Sequence, residues 1–110
     1  MKQRSKRDSL NINVRVCEPG STQPCGHIID LSMNGLSISG RGTPLPVELS
    51  TLQLLLPWPM HGFEQITLQV EQRWLEFTDA GRWHAGYQIL HYPENSLPIM
   101  DYLSASFADH

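Results

Sequence analysis

Two polar clusters in the amino-terminal third of this 110-residue chain carry side chains that could bind a ligand. The first is the run Met-Lys-Gln-Arg-Ser-Lys-Arg at positions 1–7, and the second comprises Asp30, Ser32, Asn34 and Gly35. A guanidinium group can fork onto a phosphate or onto the O6/N7 edge of guanine, and a carboxylate can accept hydrogen bonds from the nitrogen atoms of guanine. Together, the two clusters predict a site for a ligand that carries both phosphates and hydrogen-bonding bases.

The charge distribution narrows the kind of ligand. Lys2, Arg4, Lys6 and Arg7 place four positive charges at the amino end, so a net charge of −3 leaves −7 on the remaining residues. An acidic body repels a nucleic-acid backbone, which argues against a general DNA- or RNA-binding surface. A local anion site at the amino end remains possible.

Each cluster also has an ordinary structural explanation. Asn34-Gly35 after alternating apolar residues is typical of a two-residue hairpin turn, and Asp and Ser are common in turns. A basic amino terminus is usually a solvated tail. Taken separately, neither cluster indicates a ligand.

The elements that must position these residues are predicted from alternation of polar and apolar side chains. The pattern predicts six short strands at about 11–16, 26–32, 36–39, 50–56, 65–77 and 82–91. Six antiparallel strands and one terminal helix predict an all-β fold, a small six-stranded barrel with a helix packed on it. In the first strand, Ile12, Val14 and Val16 should face inward.

The terminal helix is predicted from apolar spacing. Asn95 or Ser96 could cap it, and Pro98 is tolerated in a first helical turn. Its apolar stripe should comprise Leu97, Ile99 or Met100, Leu103 and Phe107.

Within the second strand, residues two apart project from the same face. Asp30 and Ser32 should therefore lie side by side, with Ile29 and Leu31 on the other face. Gly35 should let the chain turn and let a flat ligand approach the backbone.

Two further segments leave alternatives open. A bulge or bend is expected near Glu71 or Gln72, just before Trp74, which could pack near a base although the sequence favours a core position. The apolar segment 57–63, with Trp58 between two prolines, is either a lid on one end of the barrel or, if exposed, a patch for a partner protein.

The two motifs resemble those of the PilZ domain family, bacterial six-stranded barrels that bind the second messenger cyclic di-GMP. The family pattern is Arg-x-x-x-Arg followed by Asp/Asn-x-Ser-x-x-Gly, and Asp30-x-Ser32-x-x-Gly35 matches the second part in full. Similarity extends to the segments 72–74 and 86–89 and to the terminal helix. The first motif departs from the pattern, because Gln3 and not arginine occupies the position four residues before Arg7. Arg4 is adjacent to Gln3, so the spacing of the two arginines is Arg-x-x-Arg.

The resemblance implies a cyclic di-GMP receptor with a ligand-binding segment at 1–10 and a barrel domain at 11–110. Arg4 and Arg7 would bind the phosphates and one guanine edge, Asp30 and Ser32 would bind the other guanine edges, and Gly35 would leave room for the ligand. Further candidate contacts are Gln3, Lys6, Asn34 and Trp74. Binding would order the arginine segment over the barrel and signal to an unidentified effector protein. The alternative is a PilZ-like adaptor that has lost nucleotide binding and acts by protein contact.

Other chemistry finds little support in the sequence. His27, His61, His84, His91 and His110 show no metal-ligand spacing, and no nucleophile or phosphate-loop motif appears, so neither a metal, a further cofactor nor an enzymatic activity is expected. Cys17 and Cys25 could bridge a hairpin, but unpaired thiols in a reducing cytoplasm are favoured. No secretory signal or membrane-spanning run is present, which predicts a soluble cytoplasmic protein.

Overall fold

A computed structural model describes residues 12–21 and 23–108 and shows a closed antiparallel barrel of six strands with one helix after it. The strands run around the barrel in the order β1-β2-β3-β6-β5-β4. The predicted fold class is therefore confirmed. The strand bounds are β1 Arg15–Cys17, β2 Gly26–Leu31, β3 Gly35–Arg41, β4 Thr51–Met60, β5 Phe63–Phe77 and β6 Arg82–His91.

The barrel interior is filled by the apolar members of each alternating strand. Leu52 and Leu54 of β4 and Leu68 of β5 have no solvent exposure, and neither has the indole of Trp83 from β6. Burying each such side chain stabilises the fold by about 1.5–3 kcal/mol. The alternation that defines the strands in the sequence is thus the same pattern that fills the core.

The strand β1 is shorter than predicted, but its apolar residues face inward. Val14 and Val16 are fully buried, and Ile12 packs against the core while partly exposed. The carbonyl of Val14 still accepts a hydrogen bond from the Ile28 amide at 2.9 Å. Pairing between β1 and β2 therefore continues one residue before the strand begins.

The terminal helix α1 spans Leu97–Ala108 and follows a short 3₁₀ turn at Glu94–Ser96. Ile99, Met100 and Leu103 are fully buried, and the helix packs against β2. Pro98 lies in the first turn as predicted. The prediction that Leu97 belongs to the buried stripe is wrong, because this residue is the first of the helix and is 43% exposed.

The prediction that Asn95 or Ser96 caps α1 is also wrong: neither side chain accepts an amide of the helix among the described residues, and Ser96 is engaged elsewhere. Its buried hydroxyl donates to the Pro93 carbonyl at 2.6 Å. This hydrogen bond stabilises the 3₁₀ turn, and the hydroxyl does not accept a hydrogen bond from an amide of the helix.

Alternating strand directions give the barrel two distinct ends. The β2–β3 turn, the β4–β5 turn and the helix lie at one end, here called the helix end. The β1–β2, β3–β4 and β5–β6 loops lie at the opposite end. Because β1 runs away from the helix end, the chain enters the barrel there, beside the end of β2 that carries Asp30.

Candidate ligand-binding surface

A row of four residues crosses the outer surface of the barrel, from the helix end of β2 to the opposite end of β5. Cross-strand pairing joins Asp30 of β2 to Ser37 of β3, Ser37 to Gly86 of β6, and Gly86 to Trp74 of β5. Neighbouring strands are about 4.8 Å apart, so the row spans roughly 14 Å. We call Asp30, Ser37, Gly86 and Trp74 the polar row.

Asp30 reaches the outer surface through a bulge at Ile29. The β2–β3 register shifts between Ile28 and Asp30, which leaves Ile29 as an extra residue that is 42% exposed. The prediction that Ile29 points inward is therefore wrong, because a bulge interrupts the alternation. Leu31 is buried as predicted, and Asp30 and Ser32 are both exposed.

The carboxylate of Asp30 is available to a ligand. It makes no hydrogen bond or ion pair with any residue that the structure describes. The hydroxyl of Ser37 beside it also has no partner among those residues. Two uncommitted polar groups therefore lie side by side on the surface.

Ser32 organises the turn between β2 and β3. Its hydroxyl accepts the amides of Asn34 at 3.3 Å and Gly35 at 3.2 Å, and donates to the Gly35 carbonyl at 3.3 Å. A hydroxyl has one proton and two lone pairs, so these bonds use its whole capacity. Any contact between Ser32 and a ligand must displace one of them.

Gly35 begins β3, so the turn centre is Met33-Asn34 and not the predicted Asn34-Gly35. The Ser32 amide donates to the Gly35 carbonyl at 2.8 Å across this turn. A β-carbon on Gly35 would lie 2.9 Å from the Tyr87 carbonyl oxygen. The absence of a side chain at this position therefore allows close approach of β6.

Trp74 lies on the outer surface because of a second bulge. Gln72 pairs with Tyr87 and Trp74 with Gly86, which leaves Arg73 as the extra residue, one or two positions after the expected bend. Trp74 is 45% exposed, so the prediction of a core tryptophan is wrong; the buried indole in this region belongs to Trp83.

The Trp74 indole covers the backbone of Gly86. A β-carbon added to Gly86 would lie 2.8 Å from Cζ2 of that ring. Since one face of the indole rests on the sheet, the other face is open for a planar group. Stacking on such a face contributes about 1–3 kcal/mol for a nucleobase.

On the inner side of the same strands, Gln72 donates to the Tyr87 hydroxyl at 3.2 Å. Burial raises the pKa of the Tyr87 phenol, although the bond from Gln72 opposes the shift. The phenol therefore stays neutral at physiological pH and serves as a fixed support beneath the polar row.

Of the other candidate ligand contacts predicted from the sequence, only Asn34 lies within the described residues. Asn34 is exposed beside the turn, and its carbonyl accepts the Ile89 amide at 2.8 Å. Gln3, Arg4, Lys6 and Arg7 lie outside the described residues. The structure therefore brings Asp30, Ser32, Asn34 and Gly35 together at the β2–β3 turn, and places Trp74 three strands from Asp30 in the same cross-strand row.

Sequence reasoning missed two members of the polar row, Ser37 and Gly86. Both belong to strands whose alternating patterns, taken one strand at a time, indicate fold alone. These two residues join the row through cross-strand pairing. The register of that pairing depends on both bulges, and the spacing of residues along the sequence does not reveal it.

A second feature lies at the helix end, where the β4–β5 hairpin meets the helix. The predicted loop at 57–63 is mostly strand, with a two-residue turn at His61-Gly62. Pro57 and Pro59 are tolerated because the β4–β5 register is interrupted between Leu55 and Met60.

This hairpin and the start of α1 enclose a groove of about 310 Å³. Trp58 is 50% exposed and Tyr102 45% exposed on its rims. The segment is therefore an open apolar surface and not a closed lid. The groove is lined by Trp58, Pro59, Met60, His61, Pro98, Ile99 and Tyr102.

Three further observations concern the described residues only. Cys17 and Cys25 are unpaired, as favoured from the sequence. No group of three or more His, Cys, Asp or Glu side chains gathers at metal-binding geometry between residues 12 and 108, residue 22 aside. Within the same ranges, no helix has the length and apolar character needed to cross a membrane.

The fold and this surface define a six-stranded antiparallel barrel with a carboxy-terminal helix and a polar row across its outer surface. Comparison of the chain with protein-family models, with curated proteins and with solved structures finds no match. Any function must therefore be argued from the surface itself.

Proposed function

We propose that this protein is a PilZ-type receptor for cyclic di-GMP. The observation that carries the proposal is the polar row, which places the uncommitted Asp30 carboxylate and the open Trp74 ring on one surface. Asp30 can accept hydrogen bonds from the ring and exocyclic nitrogens of guanine, a geometry that adenine does not offer. Trp74 supplies a stacking face, and Gly86 keeps the floor between them flat.

The phosphates of the ligand require cations, which the amino-terminal segment supplies. The described chain begins at Ile12, at the helix end and close in sequence to Arg7 and Arg4. An extended chain covers about 3.3–3.6 Å per residue, so the six residues between Arg7 and Val14 can reach across several strands. In the proposed complex, ligand holds residues 1–10 over the polar row.

The direct test is calorimetric titration with cyclic di-GMP. Wild type should bind, and Asp30→Ala and Arg7→Ala should each weaken binding roughly 10- to 150-fold, the effect of losing a charged hydrogen-bonding partner worth about 1.5–3 kcal/mol. Glu48→Ala removes an exposed carboxylate at the opposite end of the barrel and serves as the control. Absence of binding by wild type at concentrations that detect tens-of-micromolar affinity would reject the proposal.

A second candidate function is a PilZ-like adaptor that works without nucleotide. The exposed groove beside Trp58 favours it, because half-exposed aromatic rings around an apolar groove are typical of protein-binding surfaces. The two functions are compatible if binding of the nucleotide changes the affinity of the groove for its partner protein. In the adaptor, Trp58→Ala should abolish partner binding while Asp30→Ala leaves it intact; in the receptor, Asp30→Ala should remove its nucleotide dependence.

A further inference from the structure

Two arginines face each other directly on the outer surface of the barrel. Arg41, the last residue of β3, pairs with Arg82, the first residue of β6. Like charges opposite each other on adjacent strands destabilise a sheet. The arrangement therefore costs folding energy unless an anion offsets it.

No carboxylate neutralises this pair among the described side chains. The only ion pair between them joins Arg73 to Glu71 at 3.2 Å. Residues 12–108 contain four Arg and no Lys, so half of these cations are placed face to face in an otherwise acidic chain. We call Arg41 and Arg82 the arginine pair.

The arginine pair adjoins a buried hydroxyl. Nη1 of Arg82 donates to Oγ of Ser39 at 3.4 Å, a long bond for a charged donor, and Ser39 is only 3% exposed. His27 of β2 and His84 of β6 are the cross-strand partners of Ser39, and both are partly exposed. Glu76, opposite His84 on β5, is the acidic residue of this row.

We propose that the arginine pair, with Ser39 and His84, forms a phosphate-binding site. Two guanidinium groups can each donate a pair of hydrogen bonds to phosphate oxygens. The Ser39 hydroxyl and the His84 imidazole can each donate one more hydrogen bond to the same anion. A phosphate would offset the repulsion between the two arginines and replace the long Arg82–Ser39 bond. The site takes a phosphate group as an anion and needs no base recognition.

The phosphate could come from two sources. Ser39 lies two residues along β3 from Ser37 of the polar row, and Arg41 lies four, which are separations of about 7 and 14 Å. A dinucleotide bound on the polar row could extend one phosphate toward this site, and this part of the inference rests on the proposed function. Alternatively, a separate phosphorylated ligand occupies the site.

The site is tested by titration with inorganic pyrophosphate, followed by amide chemical shifts at constant ionic strength. Wild type should show saturable shifts centred on residues 39–41 and 82–84. Arg41→Gln and Arg82→Gln should each weaken binding by at least about tenfold, whereas Arg15→Gln should change it by less than about twofold. Arg15 is a matched control, because it is exposed on the same barrel but lies on β1, two strands from Ser39.

Two results would overturn the proposal. One is the absence of saturable shifts at the arginine pair in wild type. The other is an equal loss of affinity in Arg15→Gln, which would show diffuse attraction by net charge. Thermal unfolding without phosphate distinguishes a binding role of the two arginines from a purely structural one. If the arginines bind phosphate, substitution of either one should leave the melting temperature unchanged or raise it. If they make a structural contact, the same substitution should lower the melting temperature.

Cyclic di-GMP titrations of the same variants identify the source. A parallel loss of cyclic di-GMP affinity in Arg82→Gln assigns the phosphate to the dinucleotide, and unchanged affinity assigns it to a separate ligand. Asp30→Ala should lose cyclic di-GMP but retain pyrophosphate. If wild type binds pyrophosphate at the arginine pair and no cyclic di-GMP at all, the proposed receptor function fails while the phosphate site stands.

Discussion

Ser32 and Ser37 carry the same hydroxyl but use it differently. The Ser32 hydroxyl is committed to three bonds within its own turn, whereas that of Ser37 makes none with the described residues. Ser32→Ala should therefore lower the free energy of unfolding by about 0.5–1.5 kcal/mol, measured by urea denaturation. Ser37→Ala should leave stability within about 0.5 kcal/mol and weaken ligand binding instead. Equal effects of both substitutions on stability would contradict the assignment.

The two glycines of this surface differ in what surrounds them. A methyl group at Gly35 meets the Tyr87 carbonyl, which is part of a paired strand and cannot move aside. Gly35→Ala should cost about 1–3 kcal/mol of stability. Gly86→Ala meets the exposed Trp74 ring, which can swing away, so it should cost less stability but remove the stacking surface. Chemical denaturation and nucleotide titration of the two variants test the contrast.

Cys25 should make stability depend on pH in the alkaline range. Burial raises the pKa of its thiol from 9.0 to about 11, with Glu18 and Cys17 adding to the shift. Above pH 9 the unfolded chain loses this proton while the folded chain keeps it, so stability falls between pH 9 and 11 and is constant with respect to this group below pH 9. Cys25→Ser should flatten that part of the pH profile in thermal unfolding.

At the scale of elements, the bulge at Arg73 determines which way Trp74 faces. Deletion of Arg73 would place Trp74 directly after Gln72, whose side chain faces inward toward Tyr87, so strict alternation would keep the ring on the outer face opposite Gly86. We expect the deletion variant to fold with Trp74 still accessible to a fluorescence quencher and with ligand binding retained. Arg73→Ala is the control, because it keeps the bulge and removes only an exposed ion pair worth about 0–1 kcal/mol. A deletion variant with a buried Trp74, or one that no longer binds ligand, would contradict this account of the bulge.

Most of the fold could be predicted from the sequence because local alternation and barrel burial agree. The number of strands and their approximate positions along the chain, the inward Val14 and Val16, and the buried Leu103 of the helix all followed from periodicity. The failures at Ile29 and Trp74 share one cause. A single extra residue in a strand reverses the face of everything beyond it, and its place is set by pairing with a neighbouring strand.

The candidate surface was predictable only in part for the same reason. Asp30, Ser32 and Gly35 lie close together in sequence, so a motif could identify them. Ser37 and Gly86 join them only through pairing of β2, β3 and β6. The pairing of Arg41 with Arg82 could not be predicted from the sequence either. The two residues are separated by two whole strands in the chain and become neighbours only when β3 pairs with β6.

At the scale of the whole molecule, closure depends on a very short strand. β1 has three residues and pairs with both β2 and β4. Val16→Ala removes fully buried methyl groups from this strand and should cost about 2–3 kcal/mol, while Val47→Ala, at an exposed loop position, should cost less than about 0.5 kcal/mol.

Loss of β1 pairing would also expose the edges of β2 and β4. Unpaired strand edges promote association. The Val16→Ala variant should therefore scatter light at lower temperature than Val47→Ala during thermal unfolding. Unfolding without association would show that the two edges are protected by other means.

The separation of the barrel into two ends also bears on how the protein could be engineered. The polar row is held by strand pairing on the wall of the barrel, whereas the β1–β2 loop turns at the end opposite the helix and its described residues are mostly exposed. Exposed loop tips are where inserted domains are best tolerated. A fluorescent reporter could therefore be inserted after Gly20 without disturbing the binding surface, so that the barrel would become the sensing half of a genetically encoded indicator.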